Sequence, residues 1–277
     1  MAIGKCRLTG ATGTFAKSHL TPQAFTAPDI SGAYFIEAGE GSIPKRTFTS
    51  WYDKGILTLK GEKFLAGMDD WGVKFLRQHK LVWSGWGDEL ALPQEHFIKV
   101  SDTHGVRQVV TGDSKKLRIF LLSILWRWAV SGLKAAKEVS IPVEHEYRLR
   151  DMILSGDSGC SGFYGITLTQ MATRGSPHNM APIRVEMPVE YPDQAAPVNY
   201  QVFRVYFDGL VVRYFVNEVD LDSFGGMLVG EGDSFSFPTI AAEASFQYEN
   251  LFKGMYEVES SYSNIVDKLL RRNTPAS

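Results

Sequence analysis

The feature that most limits the fold of this chain is a pair of alternating apolar runs, QVFRVYF and LVVRYFV, joined by Asp208-Gly209. A two-residue turn of type I′ needs positive φ at both central positions, and Asp-Gly adopts that conformation readily. The sequence therefore predicts an antiparallel hairpin over residues 201–216. Counting outward from the turn pairs Phe207 with Leu210 and fixes every partner beyond them.

Helical spacing of apolar residues marks the middle and the end of the chain. Residues 115–139 carry a broad apolar face with polar residues at both ends, which predicts a helix at the centre of the core. The same spacing predicts a helix over residues 61–79, and alternating charges indicate a solvated helix over residues 143–154. A closing helix is predicted over residues 249–272.

The other segments have β-type or irregular patterns. Residues 1–50 are rich in glycine, threonine, serine and proline, which is typical of short strands and loops, and alternation predicts strands over 162–170 and 183–187. These elements predict an α+β fold with a small irregular N-terminal unit, a helical middle and an antiparallel β-rich C-terminal part. The pattern divides the chain into regions 1–80 and 81–277, which could also form one continuous domain.

Composition limits the class of protein and its surroundings. The 277 residues are 44% hydrophobic and 22% charged, which are ordinary values for a globular protein. A net charge of −2 supplies no overall attraction for nucleic acid, so such a contact needs a local basic patch. The two distant cysteines, Cys6 and Cys160, favour a reducing cytoplasm over a disulfide framework. Because the longest apolar stretch is too short to span a bilayer, we expect no membrane partner.

The segment from Cys6 to Phe25 carries the first candidate chemistry. A cysteine near a turn is followed by a short loop and then by Ser18-His19-Leu20-Thr21-Pro22. In ββα-metal nucleases a histidine at a strand end deprotonates the water that attacks a phosphodiester, and a divalent metal stabilises the leaving oxygen. His19 is therefore a candidate general base. The alternative is that this isolated histidine near a proline is a turn residue or a packed one.

The chain resembles a family of microbial HNH-endonuclease-like proteins. Their pattern has a Cys-x-x-Cys knuckle, a Ser-His-Ile-x-Pro box, a second Cys-x-x-Cys that opens a helix, and a later Phe-Leu-Leu-Ser-Ile-Leu-Trp-Arg helix. The matching residues here are Cys6, the segment Ser18 to Pro22, FLLSILWRWAVS over 120–131 and EHEYRLRDMILSGDSG over 144–159. The resemblance implies a small ββα N-terminal unit and metal-dependent cleavage of DNA or RNA by an effector, for instance in anti-phage defence.

The zinc-binding cysteines of this pattern are degenerate in the chain. Thr9 stands where the first knuckle has its second cysteine, and we expect the second knuckle at Ala66 and Asp69. One cysteine of four cannot form a tetrahedral four-cysteine site, so we expect no structural zinc. Cleavage would then use a catalytic Mg²⁺ or Mn²⁺ ion, and the resemblance implies Asp70 as a metal ligand. Ordinary helix-surface charge is the alternative interpretation of Asp70.

The predicted hairpin contributes two further candidates. Its register places Arg204 directly opposite Arg213, and like charges in that position are destabilising unless an anion or an acidic side chain lies between them. Guanidinium groups match phosphate oxygens, so the two arginines are candidate nucleic-acid-binding residues. The alternative is that a nearby carboxylate or the solvent neutralises them.

Two functions of different classes follow from these residues. The first is an HNH-like, metal-dependent endonuclease with His19 as its base. The second is a catalytically inactive protein that keeps the HNH-like scaffold and binds nucleic acid, acts as a sensor, or joins a partner protein or a second copy of itself. The missing cysteines, and the lack of a clear second catalytic histidine in the predicted helix over residues 61–79, favour the second function.

Overall fold

The computed structural model describes residues 2–27, 34–39, 42–191 and 196–271, and within these ranges the chain is a mixed α+β protein. The helices are α1 (Leu59–Gln78), α2 (Ser114–Val130), α3 (Val143–Ser155) and α4 (Phe246–Arg271). The strands are β1 (Ile3–Lys5), β2 (Thr12–Thr14), β3 (Ser18–His19), β4 (Phe35–Gly39), β5 (Ser42–Thr47), β6 (Tyr52–Asp53), β7 (Ile98–Lys99), β8 (His104–Val110), β9 (Ile166–Met171), β10 (Ile183–Val189), β11 (Val198–Phe207), β12 (Leu210–Phe215) and β13 (Ser234–Ile240).

A seven-stranded sheet, here called the main sheet, dominates the C-terminal region. Its strand order is β10-β11-β12-β9-β13-β8-β7, and its pairings are antiparallel except for the parallel pair of β13 and β9. The predicted hairpin is confirmed as β11 and β12, with φ of +50° at Asp208 and +78° at Gly209. Phe207 pairs with Leu210, as the register count predicts.

The central helix α2 is buried along almost its whole length, which confirms its predicted place in the core. It ends at Val130, so the predicted extension to residue 139 is wrong. The Asp53 carboxylate accepts hydrogen bonds from the Ser131 hydroxyl at 2.9 Å and from the Gly132 backbone N–H at 3.1 Å. These two bonds hold the chain in an extended turn where the helix would otherwise continue, and a short 3-10 turn over residues 134–136 follows.

The other predicted elements are found within a few residues of their expected bounds. Helices α1, α3 and α4 confirm the predictions over 61–79, 143–154 and 249–272, with residue 272 outside the described ranges. Strands β9 and β10 confirm the predictions over 162–170 and 183–187. In the described part of the chain, no helix has the length and apolarity that a membrane span requires.

One apolar core joins the two regions of the chain. A single cluster of buried side chains runs from Cys6 and Leu8, through α1 and α2, to Phe237 in the main sheet. The Tyr214 hydroxyl of β12 donates a hydrogen bond of 2.9 Å to the Leu121 carbonyl of α2, so the sheet is fixed against this helix by a polar contact as well. Regions 1–80 and 81–277 therefore pack as neighbours around α2.

Candidate functional site

The turn between β1 and β2 wraps around the sulfur of Cys6. The thiol is buried, and the backbone N–H of Thr9 donates to Sγ at 3.4 Å. The Gly10 N–H donates to the Cys6 carbonyl at 2.9 Å, with φ of +71° at the glycine. A positive φ is readily available to glycine, and it allows the turn to close tightly over the thiol.

The first turn of α1 approaches the same sulfur from the other side. Thr58 precedes the helix and hydrogen-bonds the thiol, while a β-carbon placed on Gly61 would lie 2.5 Å from Sγ. Burial acts to raise the pKa of Cys6, but the hydrogen bonds with Thr9 and Thr58 leave that pKa below its ordinary value. Positions 6, 9, 58 and 61 thus converge with the spacing of two Cys-x-x-Cys pairs.

The positions at which the second knuckle is expected do not face Cys6. Ala66 is exposed on α1, and the Asp69 carboxylate is bound by Arg127, so neither residue faces Cys6. The positions that face it are Thr58 and Gly61. A structural zinc requires a set of nitrogen and sulfur donors. The four positions supply one thiol, two hydroxyl groups and a glycine without a side chain, which do not form such a set.

His19 lies on the short strand β3, opposite Tyr52 of β6. Its Nε2 is 2.8 Å from the Thr49 hydroxyl oxygen. Burial and the positive charges of Lys17 and Arg127 together lower the pKa of His19 to about 4, and the charge of Asp69 opposes this decrease. The imidazole is therefore neutral at neutral pH.

Two acidic residues near His19, Glu62 and Asp69, already have partners. The Ser18 hydroxyl donates to Glu62 Oε2 at 2.6 Å, and burial raises the pKa of this carboxyl group. Arg127 donates to both carboxylate oxygens of Asp69 at 2.8 Å and to the His19 carbonyl at 3.3 Å. These bonds link α2, which carries Arg127, to α1 and β3. Because its side chain is only 3% exposed, Arg127 is a structural group.

The surroundings of His19 do not suit a divalent metal ion. Asp70 is exposed on α1, and no described hydrogen bond or ion pair joins it to His19. In the ranges that the structure describes, no three His, Cys, Asp or Glu side chains are close enough together to hold a metal. The charged groups that most lower the pKa of His19 are the cations Lys17 and Arg127, which would repel such an ion.

An open cleft of about 540 Å³ adjoins β5 and β6. The residues around it are Glu37, Lys45, Arg46, Thr47, Ser50, Trp51, Tyr52, Asp53, Lys54 and Leu133. Glu37 is paired with Lys45 at 3.2 Å, and the Asp53 carboxylate accepts hydrogen bonds from the chain around it. The three basic side chains Lys45, Arg46 and Lys54 outnumber the two carboxylates, so this surface, here called the basic cleft, carries a formal charge of +1.

Sequence reasoning missed the basic cleft. Its signal is the segment KRTFTSWYDK, residues 45–54, in which basic residues flank aromatic ones. This interleaving is typical of surfaces that contact both the backbone and the bases of nucleic acid. A further cation is present at Tyr52, because Lys17 Nζ lies 4.1 Å from the centroid of its ring.

Arg204 and Arg213 lie on the main sheet and do not line this cleft. They face each other across β11 and β12, which confirms the predicted register. Arg204 is 5% exposed and Arg213 is partly buried, so neither side chain extends freely into solvent. The backbone of a nucleic acid needs an open surface, which Arg204 does not offer in this structure.

The candidate site thus has two adjoining parts, the engaged residues around His19 and the basic cleft. They meet at Tyr52, whose ring centroid lies 5.9 Å from that of His19. No protein-family model matches this chain, and no curated protein or solved structure matches it either.

Proposed function

We propose that this protein binds single-stranded nucleic acid in the basic cleft, on an HNH-like scaffold that no longer cleaves phosphodiesters at His19. The observation that carries the proposal is that Lys45, Arg46 and Lys54 line one cleft together with Tyr52. Lysine and arginine contact backbone phosphates, and an aromatic ring offers a stacking surface to any base.

The size and the charge of the cleft support this class of ligand. Its volume lies within the range of about 300–1,000 Å³ that is common for ligand pockets, which is enough for a small number of nucleotides. The net charge of the whole chain is −2, so attraction for a polyanion has to come from a local surface of this kind.

The bonding around His19 supports the loss of cleavage. A general base works best when its pKa is near the working pH, and a pKa of about 4 makes His19 a weak proton acceptor at neutral pH. Glu62 and Asp69 are held by Ser18 and Arg127 and are not directed at an incoming metal ion. We therefore assign these groups to holding the scaffold together.

Fluorescence anisotropy with labelled single-stranded DNA and RNA tests the binding proposal. We expect the double variant Lys45→Glu/Lys54→Glu to weaken binding at least tenfold. Because each lost phosphate contact removes about 0.7 from the slope of log K against log salt, the slope should become shallower by about 1.4. Lys74→Glu, an exposed lysine of α1 that does not line the cleft, is the matched control. Equal affinities for wild type and the double variant would refute binding in this cleft.

A cleavage assay tests the second part of the proposal separately. Purified protein is incubated with plasmid, single-stranded DNA and RNA in Mg²⁺, Mn²⁺ or Zn²⁺, and we expect every substrate to stay intact. Cleavage that His19→Ala abolishes would restore the HNH-like endonuclease hypothesis, with His19 as its base and a divalent metal as its cofactor. That outcome would leave the assignment of the basic cleft unchanged, because binding is measured without turnover.

A further inference from the structure

The arginine pair lies on the face of the main sheet that points away from the central helix. Neighbouring residues of a strand point to opposite faces, and Phe203 and Tyr214, which flank the two arginines, belong to the main core cluster. Arg204 and Arg213 therefore share the outer face, where they stand directly opposite each other. The N-terminal residue of α4, Phe246, covers Arg204 there, since the guanidinium carbon lies 5.1 Å from its ring centroid.

Each arginine has a neutral protein partner and no described acidic one. Arg204 Nη1 donates to the Gln247 side-chain oxygen at 2.8 Å. Arg213 Nη1 donates to the Thr169 hydroxyl at 2.6 Å. A guanidinium carries five N–H donors, so most donors of the pair lack a protein acceptor among the described residues.

The two guanidinium groups remain charged at neutral pH despite their burial. Burial lowers the pKa of Arg204 to about 10, and the charge of Arg213 contributes to the decrease. The pKa of Arg213 is lowered by burial as well. Two like charges directly opposite each other in a buried position destabilise the fold unless a counter-charge lies near them.

We propose that Arg204 and Arg213 together bind a small oxyanion of the phosphate class, against the N-terminal turn of α4. Two guanidinium forks match the tetrahedral oxygens of such an anion, and the start of a helix adds partial positive charge. The Thr169 hydroxyl supplies a further polar group beside them. The low exposure of Arg204 selects a compact anion over a nucleic-acid strand, so this site is independent of the basic cleft.

The bound anion would also fix the start of α4. Gln247 accepts a hydrogen bond from Arg204 and lies 2.8 Å from His178 Nε2, so it connects α4 to both the sheet and the segment before β10. Neutralising the arginine pair stabilises this connection. We therefore expect slower hydrogen exchange at the start of α4 when the anion is bound.

Thermal unfolding in chloride and in inorganic phosphate, at equal ionic strength, tests the site. At phosphate about a hundredfold above its Kd, we expect the Tm of wild type to rise by about 5 °C or more. Phosphate also stabilises proteins by exclusion from their surface, so the comparison among variants decides the result. Arg213→Gln should lose the specific rise, and Arg184→Gln, an exposed arginine on neighbouring β10, should keep it.

The stability of Arg213→Gln in chloride shows that the variant folds. Because the variant lacks one of two like charges, its Tm in chloride should equal or exceed that of wild type. In phosphate, wild type should have the higher Tm. Phosphate-31 line broadening in the presence of wild type, absent with Arg213→Gln, would report binding directly. A matching response to a nucleoside monophosphate would support the same site with an organic phosphate as its ligand. Equal responses of wild type and Arg213→Gln to phosphate would overturn the proposal.

Discussion

Gly61 of α1 lies so close to Cys6 that a β-carbon on this residue would fall 2.5 Å from the sulfur. The start of the helix therefore packs directly on the turn between β1 and β2. The neighbouring side chains Leu8, Leu57 and Leu65 are buried in the shared core, so apolar contact joins the two elements.

Gly61→Ala should destabilise the protein because the added methyl group collides with the Cys6 thiol. Overpacking of this kind costs about 1–3 kcal/mol. Gly67→Ala is the matched control on the same helix, since a β-carbon there meets no atom within 4 Å. The control should gain about 0.5–1 kcal/mol from the higher helix propensity of alanine. Urea denaturation measures both changes, and two variants of equal stability would contradict the close contact.

The sequence predicts the elements that depend on residues close together in the chain, and it misses the contacts between residues that are far apart in the chain. The hairpin turn at Asp208 follows from local φ requirements, and α2 follows from its own apolar spacing. By contrast, Gly61 carries no side chain whose chemistry could predict a contact, so only the fold shows that it faces Cys6. The burial of Arg204 likewise depends on α4, which begins more than 40 residues later and covers one end of the sheet.

Breaking the ion pair of Asp69 and Arg127 should cost substantial stability. Asp69→Ala leaves the Arg127 guanidinium, which is 3% exposed, without its carboxylate, and such losses cost about 3 kcal/mol or more. The double variant Asp69→Ala/Arg127→Met should recover part of this loss because the unpaired buried charge is removed as well. Asp70→Ala, at the exposed neighbouring position, is the control and should change the free energy of unfolding by less than about 0.5 kcal/mol.

Acidification should destabilise the fold through His19. Its pKa in the folded protein is about 4, below the ordinary value of 6.5, so the unfolded chain binds more protons between these two values. The contribution of His19 to stability is therefore complete above pH 6.5 and is lost as the pH falls toward 4. His19→Gln should flatten this part of the pH dependence of urea denaturation, whereas His104→Gln, at an exposed histidine, should leave it in place. An imidazole NMR signal of His19 that titrates near 6.5 would contradict the prediction.

The tip of the hairpin should tolerate no side chain at Gly209. The Asp208 carbonyl accepts a hydrogen bond from the backbone N–H of Trp83 at 2.9 Å, and a β-carbon on Gly209 would collide with the Trp83 indole ring. Gly156 provides a matched control, because its φ of +73° is close to the +78° of Gly209 while a β-carbon there meets nothing within 4 Å.

Gly156→Ala should therefore cost only the backbone strain of about 1–2 kcal/mol for an L-residue at positive φ. Gly209→Ala should cost this strain and, in addition, about 1–3 kcal/mol for overpacking against Trp83. The difference between the two free energies of unfolding isolates the contact of the turn with the indole ring. Equal losses in urea denaturation would show that the hairpin tip does not press on Trp83, and that the turn is held by its own backbone conformation alone.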